Sequence, residues 1–325
     1  MISYRGFGKR YGRHAAVTAL DLEIEPGEAV ALLGPNGSGK TTTLKAAAGL
    51  IRPGTGEVLI GRPPRSASDP AARDILSYLP QRVSFPDALT GREVVEFYRR
   101  LRGAGAGRTA DVLHFASLNG AGDRAVGTYS GGMTQRLGLA VAMLPEAPVL
   151  LLDEPTAALD PDGLCAFYGV VERHRRQGQT ILFTSHQLGD AERLADRLAI
   201  LVEGRLAAVL SARALAERLS DRGIMRLRFA APVPGLLEGV RALAPRAVWA
   251  GGEGTGGEMV VPGPTAMRAE VVAKVRAAGA AVTALTVEEG RLDLLYRELV
   301  GGDATSGTAA SPGTAAAPAP GTGTR

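Results

Sequence analysis

Residues 34–41 read GPNGSGKT, and each residue type in that run suits one task in holding phosphate. The glycines let the chain fold tightly, so that successive backbone N–H groups of the loop face a bound phosphate. Lys40 brings an ammonium within reach of the β- and γ-phosphates, and Thr41 offers a hydroxyl oxygen to Mg²⁺. The pattern demands a strand before it and a helix after it. The apolar run AVALL at 29–33 and the helix-forming stretch at 39–49 supply both. Alone, the loop implies only that a nucleoside triphosphate is bound.

Three further segments end an apolar run in polar side chains. VLLLDEP at 149–155 ends in Asp153 and Glu154, TILFTSH at 180–186 ends in His186, and ILSYL at 75–79 shortly precedes Gln81. Strands of one parallel sheet deliver such residues to a common carboxyl edge, the edge where the glycine loop also sits. There Asp153 would complete a Mg²⁺ shell and Glu154 would polarise an attacking water. His186 would meet a γ-phosphate, and the Gln81 amide would bridge metal and water. Tyr11, in KRYG at 9–12, is able to stack on a base, although an aromatic there also serves as ordinary core.

The last segment is YSGGMTQR at 129–136, followed at once by the apolar, helix-forming LGLAVAML. A serine and two glycines opening a helix make an anion site from free N–H groups, a hydroxyl and the positive end of the helix dipole. Ser130, Gly131 and Gly132 therefore form a second phosphate-binding helix start, far along the chain from the first.

Positioning these residues requires an α/β unit over 1–220. Short runs buried on both faces (29–33, 149–152, 180–183) alternate with helical stretches, which predicts a mainly parallel sheet. The segment 87–145 is mostly helical and falls between two strand-like blocks, so it is predicted to be an inserted helical lobe. Residues 198–210 read as a hairpin about Glu-Gly-Arg, followed by a helix at 211–219. Composition then shifts. Short strands near 226–229, 247–249, 259–261 and 281–287, with helices at 235–243, 265–278 and 293–299, predict a small accessory α+β domain over 221–300. Trp249 and the apolar stripes there are expected to be core. Residues 301–325 are poor in large apolar side chains and rich in Gly, Pro, Ala and Thr, which predicts a disordered tail.

Bulk composition narrows the classes. With 325 residues, 45% of them hydrophobic, the chain can build packed cores in two domains. The net charge of +4 is spread thinly, almost all of it as arginine, without a block of five or six like charges, so no nucleic-acid partner is indicated. One cysteine, Cys165, excludes an internal disulfide and a cysteine-based zinc site. The first ten residues lack the apolar region of a secretory signal. The most apolar stretch, 137–152, is broken by Pro145, Glu146 and Pro148, so no membrane span is expected.

Taken together, the glycine loop, Gln81, the Ser-Gly-Gly helix start, the Asp-Glu pair, AALD at 157–160 and the late His186 resemble the ATP-binding subunits of ABC transporters. The resemblance covers residues 1 to about 215, in the family's order and spacing. It implies a P-loop NTPase fold of ABC type, ATP and Mg²⁺ as ligands, and ATP hydrolysis coupled to transport. It also explains the second phosphate site, because in that family the Ser-Gly-Gly loop binds the γ-phosphate held by a second subunit. The resemblance assigns Tyr11 to adenine stacking and Gly34, Pro35, Asn36, Gly37, Ser38, Gly39, Lys40, Thr41 and Thr42 to the phosphates. Thr41, Gln81 and Asp153 fall to the metal. Glu154, Gln81 and His186 fall to catalysis, Ser130, Gly131 and Gly132 to the opposite subunit's nucleotide, and Asp160 to the dimer seam. One departure is Met133, where the family usually has Gln; efflux-type relatives share it.

The implied partners are a second copy, or a paralogous ATPase subunit, and a separately encoded membrane-spanning permease. The implied location is the cytoplasmic face of the cell membrane. The segment TVEEGRLDLLYREL at 286–299 resembles the tail domain of efflux-type ATPases. A narrower resemblance, carried by 78–101 and 129–140, is to the ATPase of the transporter that supports maturation of the copper enzyme nitrous oxide reductase. The alternative reading is an ATP-driven switch on a membrane protein that moves no cargo.

Overall fold

The computed structural model describes residues 1–157, 159–220, 223–231, 233–250 and 257–288. The chain opens with β1 (Ile2–Tyr11) and β2 (His14–Ile24), a long antiparallel pair. Next come β3 (Ala29–Leu33), α1 (Lys40–Ala47), β4 (Thr55–Ile60), β5 (Arg65–Ser66), α2 (Pro70–Arg73) and β6 (Leu76–Leu79). Strands β1, β2, β4 and β5 form an antiparallel sheet in the order β2-β1-β4-β5. Sequence patterning did not reveal this second sheet. Three register shifts between β1 and β2 interrupt the period-2 alternation by which a strand is read.

Three helices follow: α3 (Gly91–Leu101), α4 (Arg108–Phe115) and α5 (Gly131–Ala142). Helix α3 starts in a capping box, where the Thr90 side chain and Glu93 satisfy each other's backbone N–H groups. Glu96 binds α3 to α4 by accepting from Arg99, Arg100 and the Thr109 hydroxyl. Those partners, Arg99 first, hold its carboxyl far below the usual carboxylate range.

The chain then returns through β7 (Val149–Leu152), α6 (Pro161–Arg176), β8 (Thr180–Ser185), α7 (Leu188–Leu194), β9 (Arg197–Val202), β10 (Arg205–Ser211) and α8 (Ala212–Ser220). The main sheet runs β10-β9-β3-β8-β7-β6, parallel throughout except for the β9–β10 hairpin. That hairpin turns at Glu203 and Gly204, both at positive φ, as a tight turn between twisted strands requires. Every residue of β3, β7 and β8 is buried, because both faces of the sheet are covered. Ala29, Ala31 and Leu33 join the core shared with the helical lobe and α6. Val30 and Leu32 join the core beneath α1 and the antiparallel sheet. This alternation produces the continuous apolar runs seen in the sequence.

The remaining elements are β11 (Ile224–Phe229), α9 (Leu236–Arg241), β12 (Val248–Ala250), β13 (Glu258–Pro262), α10 (Arg268–Ala277) and β14 (Val282–Glu288). They make a βαββαβ unit with antiparallel sheet order β12-β13-β11-β14. Its core is a separate cluster that includes Met225, Leu227, Phe229, Val240, Met259 and Val271. Trp249 packs at the margin of that cluster, its ring 5.2 Å from Phe229 in an edge contact. The helix expected at 293–299 and the tail at 301–325 lie outside the described residues.

Candidate functional site

The carboxyl ends of β3, β7 and β8 open into a cleft of about 760 Å³, lined by the glycine loop together with Tyr11, His14, Ala16, Gln81, Glu154 and His186. At Gly34 and Gly39 of the loop the backbone leaves no room for a side chain. Gly34 has φ 153°, and a Cβ there would lie 2.1 Å from the Leu201 carbonyl oxygen; Gly39 has φ 100°, with the Ala16 carbonyl oxygen 2.5 Å away. Gly39 caps α1, whose first turn carries no acidic side chain. The positive end of this helix is therefore directed at the cleft with no acidic side chain of its own first turn to quench it.

Lys40 is almost fully buried, and its ammonium donates to the carbonyl oxygens of Gly34 (2.8 Å) and Pro35 (3.0 Å). Burial lowers its pKa, while the charges of Glu154 and Asp153 pull it back up. Thr41 donates to Asp153 Oδ1 at 3.1 Å, so the glycine loop and β7 meet at this hydroxyl.

Asp153 is completely buried. Its Oδ1 accepts from Thr41 and from Thr184 (2.8 Å), while Oδ2 is buried with no hydrogen-bond partner. Burial raises the pKa of this carboxyl, and the two hydroxyls oppose the rise. A buried carboxylate oxygen left without a donor, beside a threonine hydroxyl, is a hard-oxygen donor set that fits Mg²⁺.

Glu154 has φ 47°, a left-handed conformation unusual for a residue with a long side chain. Its backbone N–H donates to Thr184 Oγ1 at 2.7 Å, which holds the strained turn from the neighbouring strand. Its Oε2 accepts from Gln81 Nε2 at 2.9 Å and lies 3.8 Å from His186 Nδ1. The Glu154 side chain is 13% exposed and that of His186 51%. The carboxylate is thus shielded, with the imidazole at the rim. Tyr11, the last residue of β1, is 49% exposed and not core. It lies across the β1–β2 turn from His14, and the Lys9 ammonium is 5.6 Å from its ring centroid.

Ser130, Gly131, Gly132 and Asp160 do not line this cleft. Ser130 is the N-cap of α5, its oxygen accepting from the Met133 N–H at 3.2 Å, and Asp160 is the N-cap of α6, accepting from the Gly163 N–H at 2.8 Å. Ser130 and Gly131 are exposed. The other loop glycines, Pro35, Asn36 and Thr42 line the cleft, while Ser38 is buried behind it. Sequence reasoning passed over Thr184, which fixes both carboxylate residues. The available signal was a hydroxyl directly after the apolar core of the strand, residues 181–183, but threonine is also an ordinary β-former. His14 and Ala16 were also passed over.

The family model described as ABC transporter matches residues 17–157. An ABC transporter ATP-binding protein of Bacillus subtilis, YxlF, is 38% identical over 211 residues, spanning 63% of this chain and 69% of its own. Nod factor export ATP-binding protein I of Burkholderia orbicola is 38% identical over 240 residues, 73% of this chain and 78% of its own. Among solved structures, the ATP-binding subunit of an ABC transporter superposes with a TM-score of 0.62 at 26% identity, covering 67% of this chain and 92% of that one. A dimeric ATP-binding cassette in a post-hydrolysis state, bound to ADP and phosphate, gives 0.61 at 26% identity, covering 66% and 99%.

Proposed function

The chain belongs to the ABC transporter family as an ATP-binding ATPase, and from that premise we propose that it powers a separately encoded membrane-spanning exporter. The observation that carries this reading is the single cleft that gathers the glycine loop, Gln81, Glu154 and His186 while leaving Ser130 outside. A phosphate-binding helix start that lies outside its own cleft has a purpose when a second subunit brings a nucleotide to it. Two copies, or this chain and a paralogous ATPase subunit, therefore sandwich two ATP molecules head to tail. Ser130, Gly131 and Gly132 of each reach the γ-phosphate in the other's cleft, with Asp160 at the seam.

Within one cleft, Tyr11 stacks on adenine and the loop from Gly34 to Thr42 holds the phosphates. Thr41, Asp153 and Gln81 hold Mg²⁺, which when bound draws charge from the β- and γ-phosphates. Glu154 accepts the proton of the attacking water, and the Gln81 amide holds the Glu154 carboxylate toward the cleft. His186 contacts the γ-phosphate from the rim. Residues 1–220 form the ATPase unit with its helical lobe at 87–145, 221–300 an accessory domain and 301–325 a tail.

No helix among the described residues is long and apolar enough to cross a membrane. A peripheral place on the cytoplasmic face, against the permease, suits such a chain. Export fits the relative named for Nod factor export. The narrower resemblance to the nitrous oxide reductase maturation transporter makes copper-site assembly the first cargo pathway to test. The deciding measurement is ATP-dependent flux in vesicles that carry the copurified membrane subunit. Flux that disappears with Lys40→Ala supports the proposal. That change removes a charged phosphate contact of roughly 1.5–3 kcal/mol. An intact complex that hydrolyses ATP without any flux would identify a switch that moves no cargo.

A further inference from the structure

Asp190 lies in the first turn of α7, only 2% exposed, and nothing in the phosphate site uses it. A buried carboxylate is costly unless hydrogen bonds replace its lost water, so its partners are informative. Thr156 donates to Oδ2 at 2.6 Å and Tyr168 donates to Oδ1 at 2.5 Å. The Ser185 hydroxyl sits 3.4 Å from Oδ2, its proton shared with the Gln187 carbonyl oxygen at 3.1 Å. These donors come from different parts of the site. Thr156 is two residues beyond Glu154, Ser185 is the residue before His186, and Tyr168 lies on α6 after the Asp160 cap.

We propose that Asp190 is a positioning residue for hydrolysis, tying the turn that carries Glu154 to the strand end that carries His186. The need follows from the backbone. Glu154 is held at φ 47°, a conformation that persists only when neighbours fix it on both sides. Thr184 grips its N–H on one side. Asp190 grips Thr156 on the other, and through Ser185 it sets where the chain turns into His186. Ser185 completes that turn by accepting from the Gln187 N–H at 2.9 Å. From α7, the Arg193 guanidinium lies 4.3 Å from the ring centroid of Tyr168 on α6, so cationic charge stacks beside the acid's second donor. None of these groups lines the nucleotide cleft. Loss of the tie therefore slows the chemical step without weakening the hold on phosphates.

The inference rests on Glu154 as the base. It is tested with full-length protein by steady-state ATPase kinetics and by calorimetric titration of Mg·ADP, which is not hydrolysed. Asp190→Ala and Thr156→Val should each lower kcat by about 10²-fold, the cost of misplacing a reacting group by roughly 1 Å. ADP affinity should stay within about twofold of wild type, since uniform binding is untouched. Thr156→Ser keeps the hydroxyl and should restore the rate. The double variant should be no slower than Asp190→Ala alone, because both break one tie. If Asp190→Ala does not fold, the Thr156→Val and Thr156→Ser pair decides. Wild-type kcat in Thr156→Val overturns the proposal, as does parallel loss of kcat and ADP affinity that Thr156→Ser does not repair. Normal hydrolysis in Glu154→Gln would instead remove the base assignment. A Glu154→Gln variant that no longer hydrolyses ATP, beside a fully active Thr156→Val, sinks this inference alone.

Discussion

Replacing Thr184 with Val tests whether one hydroxyl organises the strand ends that carry Asp153 and Glu154. The change keeps the branched shape but deletes the oxygen that accepts from the Glu154 N–H at 2.7 Å and donates to Asp153 Oδ1 at 2.8 Å. Thr184 is fully buried, so water cannot take its place. A lost hydrogen bond to a buried carboxylate and a half-buried N–H left without an acceptor together cost roughly 2–4 kcal/mol. For a folding unit of this size, with about 2–4 °C per kcal/mol, the melting transition should fall by roughly 4–16 °C. Catalysis should suffer separately. Glu154 loses the contact that fixes its left-handed backbone, and a displaced base costs about 10²-fold in kcat. Scanning calorimetry measures the first effect, and ATPase rates well below the new melting temperature measure the second. A variant with unchanged melting and unchanged kcat would refute the argument that this hydroxyl bridges the two residues to any effect.

Glu154→Gln keeps an acceptor for Gln81 but cannot take the water's proton, so hydrolysis should drop roughly 10²–10⁴-fold; ATP-bound dimer should then persist through gel filtration, and a hydrolysing variant would place the base elsewhere. Ser130→Arg should block ATP-driven association while leaving nucleotide binding in the same chain's cleft intact; a dimer in light scattering regardless of ATP and Ser130 would end the head-to-tail reading. Burial raises the Asp153 pKa, so in the metal-free protein its contribution to stability is present at low pH and lost as pH rises through the raised value. Mg²⁺ needs the ionised form, so its thermal stabilisation should be greatest near neutrality. On acidification it should fade at a pH above the ordinary Asp value of about 3.9. Fading only at or below that value, or persistence in Asp153→Asn, would take Asp153 out of the metal shell.

Much of this fold is legible because its central strands are buried on both faces. Val149–Leu152 and Thr180–Phe183 are continuous apolar runs whose polar successors mark the sheet edge, so the α/β reading and the gathering of Gln81, Glu154 and His186 follow from sequence. The antiparallel sheet was hidden for the opposite reason. In β1, Ile2, Tyr4 and Phe7 are buried but bulges shift their spacing, so only the short alternation at Leu20, Leu22 and Ile24 of β2 survives to be read. Long-range hydrogen bonds left no trace either. Thr184 closes a mainly apolar strand and Asp190 is one of several polar residues in SHQLGDAER, and only the folded chain reveals that Asp153, Glu154 and Thr156 are their partners. Tyr11 was undecidable between core and surface until the β1–β2 hairpin placed it at an exposed strand end.

Trp249 has an optical consequence. It is the sole tryptophan of the chain, seated on β12 against Phe229 and close enough to Gly257 that a Cβ there would meet the indole at 3.0 Å. Intrinsic emission excited at the indole band therefore reports the βαββαβ unit and nothing else. Unfolding of the ATPase sheet would be dark in this channel while plain in circular dichroism, so the two melts can be followed in one sample. The same lamp gives a signal for communication. If ATP added to the cleft changes the colour or quenching of Trp249, the β12-β13-β11-β14 sheet senses the nucleotide; steady emission through binding and hydrolysis means it rides along unperturbed.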